Sequence, residues 1–182
     1  AKVALVLRRS SKDKQLKGFS FFSTGNFNEK TAKQYADLGF FTYNQDMAKE
    51  ADKMFDYLEK RQLNYTFKHL LIAQFNMKNE FIAKIDREIE NVKKGKKGYM
   101  ILKMNGLEEP KIIKKLYEAG QKGVKIDLIV RGVNRLIPNQ PYSPNIRIVR
   151  IIDRFLEHAR LYVYYNDAEY ELFLASADWM KR

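Results

Sequence analysis

His158 and Arg160 stand two places apart at the head of an apolar run, residues 161–165. In a strand, residues i and i+2 point to one face, so this pair can address one bound group. An imidazole can attack phosphorus or pass a proton near neutral pH, and a guanidinium neutralises phosphate oxygens through paired hydrogen bonds. The chemistry suggested is phosphoryl transfer. A lone histidine ahead of a strand is more often structural, so a second signal is needed.

The chain supplies one by echoing itself. Ala1-Lys2-Val3-Ala4-Leu5-Val6-Leu7 and Ala159-Arg160-Leu161-Tyr162-Val163-Tyr164-Tyr165 share the order small, basic, continuous strand. A second strand follows each. The first closes in Phe21-Phe22-Ser23-Thr24-Gly25-Asn26-Phe27 and the second in Phe173-Leu174-Ala175-Ser176-Ala177-Asp178-Trp179. Both end as hydroxyl-x-Asn/Asp-aromatic, and only the turns between differ in length, as loops do. The echo sets Lys2 against Arg160 and predicts a histidine immediately before Ala1 as the counterpart of His158. Two such half-sites facing each other make one cleft. His69 has no basic residue two places on and no echo, and is read as structural.

The surrounding pattern is α/β. Residues 1–7 and 19–23 read as a hairpin around a lysine-rich turn, and Asn28 caps a helix over 29–38 that sets Ala32 and Tyr35 on one face. Residues 40–43 suggest a short strand. Residues 46–61 form an amphipathic helix with Met47, Met54, Phe55 and Leu58 as its apolar side. A strand is expected at 70–73 and a long helix over 76–94, stopped by Gly95. Residues 99–104, 110–120 and 125–130 then read as strand, helix and strand, an order that demands a parallel pair. Residues 132–144 hold three of the four prolines and form a loop. Strands follow at 147–151, 161–165 and 171–175. The chain opens directly in a strand and stops just after another, so both ends are expected to lie inside domains, with a boundary near residues 64–68.

Composition narrows the classes. With no cysteine there is no disulfide framework, thiolate zinc site, iron–sulfur cluster or cysteine nucleophile, and a reducing cytoplasmic setting is compatible. No apolar run approaches the roughly 18 residues of a membrane helix. At 45% hydrophobic and 13% aromatic residues the chain is too apolar for disorder. The excess of 34 Lys and Arg over 22 Asp and Glu, a net +12, suits a polyanionic ligand.

The segment Ser23-Thr24-Gly25-Asn26-Phe27-Asn28-Glu29-Lys30-Thr31-Ala32-Lys33-Gln34-Tyr35 closely resembles the bacterial polyphosphate kinase family of the phospholipase-D-like type. So do Ile85-Asp86-Arg87-Glu88, Ile101-Leu102-Lys103-Met104-Asn105, Ile129-Val130-Arg131-Gly132, Asp153-Arg154-Phe155-Leu156-Glu157-His158 and Ser176-Ala177-Asp178-Trp179-Met180, in order along the chain. The resemblance implies an α/β fold of two partial phospholipase-D-like domains, mixed sheets flanked by helices. Residues 1–66 would be the later part of the first domain and 67–182 the earlier part of the second. It implies reversible transfer of the terminal phosphate of ATP to inorganic polyphosphate through a phosphohistidine, with Mg²⁺. The phosphorylated histidine would sit just before Ala1, where the echo places one.

By the same resemblance Tyr35, Arg131 and His158 bind the nucleotide, with His158 also catalytic, and no residue of this chain is a metal ligand. Lys2 and Arg160 are secondary phosphate candidates, as are Asn26, Asn28 and Lys30 in their donor-rich turn. The partners implied are polyphosphate and ATP or ADP, not nucleic acid. A cytoplasmic, homo-oligomeric full-length enzyme with room for peripheral membrane association follows. Phe21 and Ser23 depart from the family pattern, so a role for the histidine usual at position 21 does not transfer. Tyr165 replaces the aspartate that phospholipase-D-like phosphodiesterases prefer seven residues after the motif histidine, which weakens a phosphodiesterase alternative. A non-catalytic polyanion- or nucleic-acid-binding module is the other alternative. Against it, the aromatic residues fall mostly at core positions of strands and helices.

Overall fold

Two apolar runs around a polar turn fold back on each other because each can pair its backbone only with the other. In the computed structural model, which describes residues 2–61 and 64–181, β1 (Lys2–Arg9) and β2 (Leu16–Ser23) run antiparallel, from Lys2↔Ser23 to Arg9↔Leu16. Ala1, expected to open the first strand, and Arg182 lie outside the described residues. β3 (Gly39–Thr42) joins the free edge of β2, giving a three-stranded sheet in the order β1-β2-β3.

Asn28 caps α1 (Glu29–Ala32) as expected, its Oδ1 accepting from the N–H groups of Lys30 and Thr31. The helix stops at Ala32 and does not reach residue 38. The backbone beyond it is taken by another segment: Leu156 N–H donates to Gln34 O at 2.8 Å and Ala36 N–H to Leu156 O at 3.0 Å. Thr24 then accepts Leu38 N–H at its hydroxyl.

α2 (Gln45–Lys60) begins at Asn44, whose Oδ1 accepts from Asp46 and Met47, and ends at Arg61 in the left-handed conformation. Its buried positions are Ala48, Glu50 and Ala51, whereas Phe55 and Leu58 of the expected apolar side are exposed. Small residues win because the helix lies close on the sheet. A Cβ added to Gly18 of β2 would stand 2.4 Å from that of Ala48.

No strand forms at residues 70–73. The buried Glu50 carboxylate accepts the N–H groups of Lys68, His69 and Leu70 at 2.7–2.9 Å, and Asn76 takes Ile72 N–H while donating to Phe67 O and Leu70 O. Side chains have claimed the groups a ladder would use.

The second sheet follows its sequence pattern closely. After α3 (Met77–Lys93), β4 (Tyr99–Met104), α4 (Pro110–Gln121) and β5 (Lys125–Val130) build the parallel unit, in register from Tyr99↔Lys125 to Met104↔Val130. β6 (Ile146–Val149) extends it in parallel, while β7 (Arg160–Tyr164) and β8 (Glu171–Ala175) add antiparallel on the other side of β4. The order is β6-β5-β4-β7-β8. Met100, Leu102 and Met104, with Ile126, Leu128 and Val130, alternate toward one face, where Phe81 and Ile85 of α3, Leu116 of α4, Tyr162, Tyr164 and Trp179 complete the core.

The echo survives in three dimensions. β7 and β8 pair from Arg160↔Ala175 to Tyr164↔Glu171, a register that corresponds pair by pair to Lys2↔Ser23 through Val6↔Phe19. No described helix is long and apolar enough to cross a membrane.

Candidate active site

Because β7 runs against β4 and β5, its amino end meets their carboxyl ends. Asn105 follows β4, Arg131 follows β5, and His158 stands two residues before β7. This is where parallel α/β units leave backbone and side chains free for ligands. Arg131 Nε donates to Asn105 Oδ1 at 2.6 Å, and its Nη2 lies 3.4 Å from His158 Nδ1. Tyr35 arrives from the first half of the chain through the backbone bridge to Leu156, and sets its ring edge-on to His158 at 5.5 Å between centroids. Tyr35, Arg131 and His158, separated by long stretches of sequence, thus form one half-buried cluster.

Arg160 is not the partner that i, i+2 spacing suggests. His158 lies outside the strand, its N–H donating back to Leu156 O. The Arg160 guanidinium is buried and turned onto the protein: Nε and Nη2 bind Asp178 at 3.0 and 2.7 Å, and Nη1 donates to His158 O at 2.8 Å. It fixes the backbone beneath the histidine and spends three of its five N–H donors on the protein itself. Lys103 is similarly committed, to Ala159 O at 2.9 Å and to Glu157 at 3.2 Å.

Burial pushes the His158 imidazole below its ordinary range, and the Arg160 and Arg131 charges add to this, partly opposed by Asp178. Lys2 contributes in the same direction as the arginines. The ring is therefore neutral near pH 7. A guanidinium only donates, so Nδ1 accepts from Arg131 and the ring proton sits on Nε2, free to donate to a bound oxygen. Burial alone would raise Asp178. The Arg160 bonds and the N–H groups of Asn105 and Gly106 overcome it and hold the carboxyl below the usual carboxylate range.

Of the secondary candidates, Asn28 is spent on its cap, α1 is a single turn, and Asn26 and Lys30 are exposed. Asn105 and Asp178 were not assigned a role from sequence. Asn105 had a usable signal, its place immediately after the first strand of the parallel unit. Asp178 had another, its place in the echo. Among the described residues no three His, Asp or Glu gather to hold a metal ion. The carboxylates bordering the cluster, Asp178 and Glu157, are bound to Arg160 and Lys103. These residues do not fit a Mg²⁺ cage, and no step below passes through one.

Residues 70–182 match polyphosphate kinase C-terminal domain 2 and residues 1–64 match polyphosphate kinase C-terminal domain 1. Polyphosphate kinases of Bacillus anthracis and Staphylococcus epidermidis are each 42% identical over 183 aligned residues, covering the whole chain. The crystal structure of polyphosphate kinase from Porphyromonas gingivalis matches all of this chain at 45% identity with a TM-score of 0.93, over 28% of its own length. The chain spans about a quarter of the curated relatives it matches, 26% of the Bacillus protein and 25% of the Staphylococcus protein. Its two sheets flanked by helices are of the phospholipase-D-like kind, and the chain belongs to the polyphosphate kinase family.

Proposed function

We propose that this chain is part of an ATP:polyphosphate phosphotransferase, in which residues 1–66 and 67–182 each supply one side of a phosphoryl-transfer cleft. The observation that carries the reading is the convergence of Tyr35, Arg131 and His158 from distant parts of the chain at the carboxyl end of a parallel pair. In the forward reaction a histidine preceding Ala1 attacks the terminal phosphorus of ATP. An N–P bond forms, the bond to the bridging oxygen breaks, and ADP leaves. A terminal oxygen of polyphosphate then attacks the phosphohistidine and restores the imidazole. The matching registers of the two hairpins support this placement, because the position before Ala1 corresponds to the one before Ala159, which is His158.

Arg131 neutralises charge on the equatorial oxygens as the phosphoryl group moves, since such transfers depend mostly on positioning and charge. His158 donates Nε2–H to a phosphate oxygen, and Tyr35 offers its phenol to the same group. Mg²⁺ bound to the nucleotide, and not held by the residues of this chain, would supply charge neutralisation on the phosphates. The net +12 lines a path for a chain carrying one negative charge per interior phosphate. The reading extends to a cytoplasmic, homo-oligomeric protein that can associate peripherally with membranes.

The test is to incubate the full-length protein with γ-labelled ATP and Mg²⁺. Acid-labile, base-stable phosphate is expected on the histidine preceding Ala1. Absence of both that label and polyphosphate synthesis overturns the reading. Arg131→Ala and His158→Ala should each lower turnover by about 100-fold or more while leaving the unfolding midpoint close to wild type.

A further inference from the structure

We propose that Asn105 is the positioning residue of this site, holding Arg131 and His158 in register with each other; this rests on the functional reading above. Its four polar groups bind three other segments of the chain. The backbone N–H donates to Asp178 Oδ1 at 2.8 Å, and the carbonyl accepts Gly132 N–H at 2.8 Å. Oδ1 accepts Arg131 Nε at 2.6 Å, and Nδ2 donates to His158 O at 3.2 Å. One side chain therefore ties the segment after β5 to the segment before β7.

The chemistry requires an amide. Aspartate cannot donate to His158 O, and leucine of similar size can neither accept from Arg131 nor donate. By occupying Nε, Asn105 leaves the two terminal nitrogens of Arg131 on the outer side. One reaches His158 Nδ1, and the paired terminal nitrogens are the edge that a phosphate takes. The anchor also explains Gly132 in Val-Arg-Gly. A Cβ there would stand 2.7 Å from Asn105 O, so any side chain would pry the two segments apart.

A positioning role predicts coupling. In the full-length protein Asn105→Ala should lower kcat/KM for ATP about tenfold or more, the scale of one hydrogen bond to a charged group. In an Arg131→Ala background the same change should cost less than about twofold, because the group it orients is gone. A second readout is independent of turnover. The groups acting on His158 are Arg131, Arg160, Asp178, Lys2 and the Tyr35 ring, and releasing Arg131 in Asn105→Ala should move the imidazole titration, followed by NMR, up toward its ordinary value.

Asn105→Ser repeats both measurements with a smaller polar side chain that cannot bridge the two groups. Equal losses in the two backgrounds, an unmoved titration, or failure of both variants to fold would make Asn105 a purely structural post and overturn the proposal. The outcomes are separable. If Arg131→Ala and His158→Ala are themselves fully active, the functional reading has failed; if they are impaired while Asn105→Ala is not, only this assignment has.

Discussion

The two hairpins are one pattern built twice, and they differ in what lies behind them. β7–β8 and β1–β2 share a register, yet Trp179 is 1% exposed while its echo Phe27 is 66% exposed. Arg160 is locked to Asp178, while Asn26, the echo of Asp178, is exposed. The second hairpin leans on α3 and a core drawn from five strands. The first is backed by α2, and its sheet leaves Phe19 of β2, Phe41 of β3 and the following Tyr43 exposed. The register of a pair follows from its turn and alternation, but how deeply it is buried depends on the layer packed against it. One half is framework, and the other is a wall joined to it by main-chain hydrogen bonds.

The largest contrast is expected between the two aromatic residues. Trp179→Ala should cost about 3–5 kcal/mol in urea unfolding and Phe27→Ala no more than about 0.5 kcal/mol. Equal losses would break the comparison. Next, Asp178→Ala leaves the buried Arg160 unpaired and should cost about 3 kcal/mol, against less than about 0.5 kcal/mol for Asn26→Ala.

A smaller effect concerns acidity. His158 is held below its unfolded value of 6.5, so the unfolded chain takes up the proton first. The stability this gives is complete above pH 6.5 and is lost as pH falls through the lowered folded value. His158→Gln should flatten that part of the unfolding profile, and an unchanged slope would remove His158 as its source. Smallest is the cap of a single turn: Asn28→Ala should cost about 1 kcal/mol at most.

What the sequence made legible follows locality. The strands at 125–130 and 171–175 and the parallel pairing of β4 with β5 come from periodicities contained in the segments themselves, so no distant partner could alter them. α1 was expected to run on because nothing nearby stops it; what stops it is Leu156, far along the chain. The expected strand at 70–73 lost its backbone to Glu50 and Asn76, which no local pattern reveals.

The site divides the same way. Tyr35, Arg131 and His158 could be named from motifs, and the structure brings them together. The spacing of His158 and Arg160 suggested a shared ligand, but spacing does not say where a guanidinium finds its acceptor. Asp178 was that acceptor, and Asn105 the frame, through contacts that exist only in the folded chain.

The seam between the halves, where Leu156 exchanges hydrogen bonds with Gln34 and Ala36, is written in main chain. Over evolutionary time it should therefore ignore much of what mutation does. Side chains at 34, 36 and 156 can drift without disturbing the pairing that delivers Tyr35 to His158. Proline at 156 removes one of the two bonds, and a residue inserted beside the bridge moves Leu156 out of line with Gln34 and Ala36. Such a joint tolerates substitution and punishes changes of length, so lineages diverging in sequence can keep the same alignment of the two halves.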